Sequence, residues 1–321
     1  MAARLGMVAV IWVVAAIAVS VALASRGDGD ASDARPNPPA ARIERRVILS
    51  GNIPRVRPAD YRRPTARYLA HVRHRLSAMR GDVRSLRAAT GRDDMAAARA
   101  AWTAADSQYE TIGAAYGAFG DLDAAINGRP DGLPGGVRSP DFTGLHRIEY
   151  ALWHTRSTRE AAPYAGRLER DVARLQRSLG RAEIDPLEYS LRAHEVLEDT
   201  LHLQLSGRAS PWSGSALVAL RSNVVGTGVV LETVRSLVAR RNARVLQRVD
   251  RSLADLRAAL RQVERPDGSM PRWDALGQRD RTLVAGRTGA AAEELAYIPE
   301  YIDPRPARPV QRQFGTEEGT R

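Results

Sequence analysis

The 321-residue sequence contains no cysteine. This absence excludes disulfide bonds, thiolate metal sites, cysteine nucleophiles and attachment of a lipid to an N-terminal cysteine. Any metal ion must therefore be held by histidine and carboxylate side chains. That ligand set suits iron, manganese or zinc, and the residue types alone do not decide among them.

Lysine is absent as well, so that all 48 basic residues are arginines, and the formal net charge is +11. The arginines are spread along the chain and alternate with acidic residues. Nucleic-acid binding normally relies on a clustered basic surface. The composition therefore disfavours nucleic acid as a partner, although a positive surface is compatible with anionic lipids or cell-wall polymers.

Aromatic residues make up only 5% of the chain, and alanine, leucine and arginine, which favour helices, dominate it. Amphipathic patterns follow one another from residue 59 onwards and are separated by segments rich in glycine and proline. We predict an all-α chain of about eight helices that form two four-helix bundles. The predicted helices span 61–90, 93–127, 139–155, 164–180, 185–205, 215–240, 243–263 and 273 or 280–297. In the second of these, Gly113, Gly117 and Gly120 either allow close packing or break the helix.

An apolar run from Met7 to Ala24 follows Arg4 and predicts an export signal in residues 1–25. The run is long enough to span a bilayer, while Ala22-Leu23-Ala24 also fits the small-x-small rule for cleavage. An uncleaved anchor and a cleavable signal peptide therefore both remain open. In either case we expect the body outside the cytoplasm, anchored in the cytoplasmic membrane or secreted after cleavage behind Ala24.

Three further regions follow the signal. Residues 26–58 are rich in proline, glycine, aspartate and arginine and predict a polar linker. Residues 59–302 contain the helical patterns and predict the functional domain. Residues 303–321 contain several prolines and a polar end, which predict a disordered tail.

The stretch from Phe142 to Trp153 places two metal-competent side chains in an apolar helical face. Ser139 and Pro140 suit the N-cap and the first position of this helix. Glu149 falls near the middle of the apolar stripe and His146 at its edge. A buried carboxylate is costly unless it is paired, hydrogen-bonded or bound to a metal. Since the two residues are three positions apart on a helix, both side chains can contact the same ligand. A lone HxxE pair also occurs by chance, however.

The residues from Asp141 to Trp153 resemble the signature of the imelysin-like, EfeO/EfeM-type family of exported iron-uptake components, whose hallmark is an HxxE helix. The resemblance extends through Gly120 to Asn127, Leu197 to Asp199 and Leu205 to Gly207. The resemblance covers residues 59–302, so it is far more specific than a match to the four-residue HxxE motif alone.

The resemblance implies a fold of paired helical bundles. It also implies a protein that binds iron, as Fe²⁺ or Fe³⁺, outside the cytoplasm and delivers it to a membrane permease without covalent chemistry. The implied partners are the permease and peroxidase components of the same uptake system, with the membrane contacted through the N-terminal segment.

By the same resemblance, we expect His146 and Glu149 to be metal ligands, with Glu110 as a carboxylate partner. Asp123 is a further candidate partner, because it falls on the apolar face of its helix if that helix is continuous. For Asp123 the alternative is a solvated helix end. Several acids of the family pattern are missing here: Gly113 replaces the second acid of Glu-x-x-Glu, Asn127 replaces another, and Arg208 and Ala209 follow the Ser-Gly turn. These departures predict a lower affinity or a different metal, such as Zn²⁺ or another divalent ion.

The fifth predicted helix offers a second cluster, because His194, Glu198 and His202 recur every four residues. They share a predicted face with leucines at positions 187, 191, 201 and 205. A ladder of metal ligands and a self-satisfied hydrogen-bond network are both open. We expect His194 and Glu198 to share or neighbour the HxxE site, because a buried Glu198 needs a partner.

Two other function classes compete with metal transport. The imelysin-like group has also been classed with metallopeptidases, but HExxH enzymes place a glutamate as general base between two histidines, and Arg147 stands at that position here. No nucleophile motif is apparent, and we predict that the chain is not an enzyme. A structural cell-envelope protein would need no buried histidine or glutamate.

Overall fold

The regular elements of the described chain are all helical. The computed structural model describes residues 55–304, apart from the side chain of Ala193. Its α-helices are α1 (Arg62–Gly91), α2 (Met95–Glu110), α3 (Asp121–Asn127), α4 (Gly144–Glu149), α5 (Thr158–Ser178), α6 (Pro186–Asp199), α7 (Ala216–Val263), α8 (Gln278–Leu295) and α9 (Ile298–Ile302). Short 3-10 helices lie at Pro58–Tyr61, Gly113–Ala118, Gly136–Arg138 and Trp273–Ala275, and π-helical turns at Tyr150–His154 and Thr200–Gln204. The predicted all-α class is confirmed.

Apolar residues recur every three or four positions along α1 and bury one face of this helix. The stripe contains Tyr68, Val72, Leu76, Met79 and Val83. Burying each such side chain stabilises the fold by about 1.5–3 kcal/mol relative to leaving it exposed. The helix packs against α2 and α5.

The helices pack in two groups. One contains α1, α2 and α5, the other contains α6, α7 and α8, and contacts between α2 and α7 join them. The buried apolar side chains of both groups belong to one continuous core. The prediction was two four-helix bundles; the described helices do pack in two groups, but the core between the groups is undivided.

The predicted boundary between the helices at 215–240 and 243–263 is confirmed, because a non-helical residue interrupts the continuous element α7 there. Asn242 has φ −156° and ψ 93° inside α7. Its side-chain oxygen accepts the backbone N–H groups of Arg244 and Val245 at 3.1 and 3.3 Å, which recaps the second half. Within the described residues α7 is also the one helix long and apolar enough to cross a membrane, but 67% of its most apolar window is buried against the rest of the protein.

The elements around the HxxE motif differ from one continuous pattern. For residues 93–127 the observed alternative is a break at the internal glycines, because α2 ends at Glu110 and α3 begins only at Asp121. The predicted start at Ser139 and Pro140 is wrong, since α4 begins at Gly144 with Thr143 as its N-cap. Ser139 instead ends the 3-10 helix that precedes it.

The predicted export signal in residues 1–25 lies outside the described residues, as do most of the predicted linker and tail. Val56 is already buried, so the helical body begins slightly before residue 59.

Candidate metal centre

Glu149, the last residue of α4, is 0% exposed, and both of its carboxylate oxygens are hydrogen-bonded. Oε1 accepts the backbone N–H of Trp212 at 3.1 Å, the backbone N–H of Ser213 at 2.8 Å and the hydroxyl of Ser213 at 2.8 Å. Oε2 lies 3.1 Å from Nδ1 of His146. The predicted burial of this carboxylate is confirmed, and protein donors compensate its desolvation.

Side chains from α2 hold α4 and its π-helical extension in place. The indole N–H of Trp102 donates to the carbonyl oxygen of Leu145 at 2.8 Å. The guanidinium of Arg99 donates to the carbonyl oxygen of Leu152 at 2.7 and 3.1 Å. Leu152 lies in a π-helical turn, an arrangement that is frequent at functional sites. The helix α2 therefore holds the backbone on both sides of the HxxE motif by hydrogen bonds.

His146 is 3% exposed and directs Nδ1 towards Glu149. Its Nε2 makes no hydrogen bond with any residue between 55 and 304. Metal-binding histidines usually donate one ring N–H to a carboxylate, which fixes the ring and leaves the other nitrogen for the metal. His146 and Glu149 show this arrangement.

Glu110, at the C-terminal end of α2, is buried and held by two amide side chains. Nε2 of Gln204 donates to its Oε1 at 2.9 Å, and Nδ2 of Asn223 donates to its Oε2 at 2.9 Å. Burial raises the pKa of Glu110, and the hydrogen bond from Asn223, the charge of His146 and the bond from Gln204 partly offset this rise. Glu110 therefore lies within electrostatic reach of His146.

Asp106 lies one turn before Glu110 on α2 and is 1% exposed. Its Oδ2 has no hydrogen-bond partner in the described chain. Burial, followed by the negative charges of Glu110 and Glu149, raises the pKa of Asp106 well above its usual range. We call Asp106, Glu110, His146 and Glu149 the carboxylate–histidine cluster.

Asp106 was not among the predicted ligands, although a signal was present. Asp106 and Glu110 are four positions apart and fall on the buried side of α2, among apolar residues that include Trp102 and Tyr109. Two acids in such a stripe predict a polar site as strongly as Glu149 does.

Asp123 contacts the side chain of Tyr109, the residue that precedes Glu110 of the cluster. It is half-buried on α3, and its Oδ1 accepts the hydroxyl of Tyr109 at 2.7 Å. Burial raises the pKa of Asp123, and the Tyr109 hydrogen bond opposes the rise. The alternative of a solvated helix end suits Asp121, which is exposed, better than Asp123.

Comparison with known proteins settles the family. Residues 64–291 match the family model described as imelysin, Peptidase_M75. The chain belongs to the imelysin family. The iron uptake system component EfeM of Pseudomonas syringae pv. syringae (strain B728a) is similar, at 26% identity over 241 residues that make up 75% of this chain and 85% of that protein.

A second relative is the iron uptake system component EfeO of Escherichia coli (strain K12). It is 27% identical over 231 residues, which make up 72% of this imelysin chain. The matched part is only 61% of the E. coli protein, so the chain spans less than two thirds of that relative's length.

The second predicted cluster is less buried than the first. His194 is partly buried, but Glu198 and His202 are exposed, so the expectation that they occupy a buried stripe is wrong. The segment buries its opposite face, which carries Tyr189, Leu197, Thr200 and Gln204 among others. The buried residue that it contributes to the cluster is Gln204, and a ligand role for His194 and Glu198 remains a prediction.

The raised pKa of Asp106 leads us to expect a pH dependence of stability. A carboxyl whose pKa rises on folding contributes stability that is fully present below its unfolded pKa, about 4, and is lost as the pH rises through the folded pKa. We therefore expect the contribution of Asp106 to the stability of the metal-free wild type to fall as the pH rises above about 4. The Asp106→Asn variant should lose less stability than the wild type as the pH rises, and it should be the more stable of the two proteins at pH 7. Denaturant unfolding measures both differences.

The matched control for this comparison is Asp255→Asn, which removes an exposed carboxylate that pairs with Arg287. This variant should follow the wild-type pH profile. An Asp106→Asn profile parallel to that of the wild type would show that Asp106 takes up no proton on folding.

Proposed function

We propose that this protein binds an iron ion outside the cytoplasm and passes it to a permease in the membrane. The supporting observation is that two buried side-chain oxygens and one ring nitrogen lack hydrogen-bond partners. Oδ2 of Asp106 and Oε1 of Gln204 have no hydrogen-bond partner in the described chain, and Nε2 of His146 has none either. Such acceptors are costly to bury, and one cation would satisfy several of them.

In this proposal the ion is held by Nε2 of His146 and by oxygens of Glu110 and Asp106. Glu149 faces His146 and the loop that contains Ser213, so it orients the imidazole instead of binding the ion. Imidazole, carboxylate and amide oxygens suit iron, and also Zn²⁺ or another divalent ion. The printed names of the EfeM and EfeO relatives favour iron.

Metal binding requires a rearrangement around Glu110. Among residues 55–304, no three His, Asp or Glu side chains already lie in the geometry of a metal site. The amides of Gln204 and Asn223 occupy both oxygens of Glu110. If Gln204 reverses its amide, it withdraws a donor from Glu110 and presents Oε1 as a further oxygen ligand.

The purified protein is expected to bind one iron ion, and His146→Ala should weaken binding by well over tenfold, about 1.4 kcal/mol or more, because the nitrogen ligand is lost. His74→Ala is the matched control, since it removes an exposed histidine of α1 and should leave the affinity unchanged, while His194→Ala tests the second cluster. Titration with Fe²⁺ in the absence of oxygen, followed by competition with Zn²⁺, measures affinity and preference. Fractionation of cells that express the full chain tests its placement outside the cytoplasm.

Unchanged iron affinity in His146→Ala would remove the chemical basis of the proposal. Equal losses of iron affinity in His146→Ala and His194→Ala would instead mean that the two clusters form one site. Failure of the wild type to bind any metal would favour a structural protein of the cell envelope.

A metallopeptidase is the second candidate, because the family model carries a peptidase name. The position that carries the general base in HExxH enzymes is occupied here by Arg147. Arg147 donates to Glu160 at 2.6 Å and its guanidinium lies 4.3 Å from the ring centre of Tyr164. We therefore expect the iron- or zinc-loaded protein to leave unstructured protein substrates intact. Metal-dependent cleavage that disappears in Glu149→Gln would reverse this ranking.

A further inference from the structure

We infer that Arg272 is a positioning residue for His146, although it does not contact this histidine. It acts through the positioning turn, which we define as residues Ser210–Gly214. The inference rests on the proposed function only where it concerns metal affinity, because the orientation of His146 can be measured without metal.

The positioning turn aims its donors at a single oxygen atom. The backbone N–H groups of Trp212 and Ser213 and the hydroxyl of Ser213 all donate to Oε1 of Glu149. With this oxygen held from one side, Oε2 of Glu149 faces Nδ1 of His146. The direction of the imidazole therefore depends on the orientation of the turn.

Arg272 fixes the peptide groups of the turn from the outside. Its NH1 donates to the carbonyl oxygen of Ser213 at 2.7 Å and to that of Trp212 at 3.3 Å. The carbonyl of Trp212 and the N–H of Ser213 belong to one planar trans peptide group and point in opposite directions. By holding the carbonyl, Arg272 holds the N–H that donates to Glu149.

The residue of the positioning turn that lies against the guanidinium of Arg272 is a glycine. Gly214 has φ +68°, and a Cβ atom at this position would lie 2.5 Å from the guanidinium carbon of Arg272. A side chain there would push the guanidinium away and would also strain the backbone. The close approach of Arg272 therefore depends on Gly214.

Asp274 orients the guanidinium. Nε of Arg272 donates to its Oδ1 at 3.0 Å and NH2 donates to its Oδ2 at 2.8 Å, so NH1 is left to face the turn. The side chains of Arg272 and Asp274 are 45% and 65% exposed. An exposed pair contributes little to global stability, so its positioning role can be separated from folding.

Arg272→Gln tests the inference in the full-length protein. In the metal-free wild type, ¹⁵N NMR of the histidine side chains should show His146 in a single form with the proton on Nδ1, assigned by its absence in His146→Ala. In Arg272→Gln we expect a mixture of the two tautomers and an iron affinity lower by about tenfold or more, as for other residues that orient metal-binding histidines. Arg272→Lys, which keeps a cationic donor, should restore part of both properties.

Arg221→Gln is the matched control. Arg221 is 42% exposed and likewise bridges a carboxylate and a carbonyl, those of Glu264 and Gly268. This variant should leave the His146 spectrum and the iron affinity unchanged. Asp274→Asn provides a second variant, with the same direction of change as Arg272→Gln, should that protein fold poorly.

The outcomes are distinguishable. A His146 spectrum that is the same in the wild type, Arg272→Gln and Asp274→Asn overturns the inference. A tautomer shift in Arg272→Gln supports it even if neither protein binds iron, in which case only the proposed function fails.

Discussion

Replacing Glu149 by alanine is expected to lower the free energy of unfolding by about 3–5 kcal/mol. The carboxylate is completely buried and accepts two backbone N–H groups and a hydroxyl on one oxygen, while the other faces His146. Truncation leaves these donors without a partner, at a cost of about 1–3 kcal/mol for each donor that water cannot reach. Denaturant unfolding of the metal-free protein measures this loss.

Glu294→Ala is the control for this variant, because it removes a partly exposed glutamate that pairs with Arg248. Surface pairs contribute about 0–1 kcal/mol. A loss for Glu149→Ala that is no larger than for Glu294→Ala would contradict the structural role of the buried carboxylate.

Glu149→Gln separates the two roles of this residue. The glutamine oxygen can still accept the donors of the positioning turn, so most of the stability should remain. Its amide nitrogen, however, would face Nδ1 of His146 as a donor and drive the proton to Nε2. The variant should therefore fold but bind iron poorly.

Gly144→Ala is expected to destabilise the protein by about 3 kcal/mol or more. Gly144 has φ +76°, and a Cβ atom there would lie 2.2 Å from the carbonyl oxygen of Ile126 and 2.6 Å from that of Ala125. Left-handed backbone costs alanine about 1–2 kcal/mol, and overpacking adds about 1–3 kcal/mol. The start of α4 would have to move away from α3, and His146 with it. Thermal and denaturant unfolding measure the loss.

The control for the glycine variant is Gly286→Ala. Gly286 lies in the exposed part of α8, and a Cβ atom there meets nothing within 4 Å. Alanine should stabilise a helix at such a position by about 0.5–1 kcal/mol. Similar effects of the two substitutions would mean that α4 and α3 do not approach as closely as described.

Local chemistry was enough to predict some features of the fold. The helix predicted at 185–205 does start there: Asp185 caps α6 ahead of Pro186, and its Oδ1 accepts the N–H groups of Leu187 and Glu188 at 2.8 and 3.0 Å. Glu149 is buried because it lies among the apolar residues of its helix, and the face that these residues form is the one that packs against the core. Both features depend on residues within a few positions of each other.

Features that depend on distant neighbours were predicted wrongly. Ser139 and Pro140 have suitable capping chemistry, but α4 starts at Gly144, where close packing on α3 requires a glycine. Along α6 and its extension leucines lie on both faces, so the apolar pattern alone does not show that Leu197 is buried and Glu198 exposed. The contacts with α7 and α8 decide which face is covered.

The candidate site is assembled from segments far apart in sequence. His146 was predictable from its motif, but the carboxylate of Asp106, the donors of Ser213 and the guanidinium of Arg272 come from three other regions. Their convergence depends on how α2, α4 and the segments on either side of α7 pack. No spacing rule within one helix could have predicted it.

The most direct test of the proposed metal centre is to locate the ion in crystals of the protein grown with iron, by anomalous scattering at the iron absorption edge. The expected result is one strong peak about 2.0–2.2 Å from Nε2 of His146, with an oxygen of Glu110 or Asp106 also at ligand distance and Glu149 still bonded to Nδ1. A peak beside His194 and Glu198, or no ordered peak at saturating iron, would contradict the proposed centre.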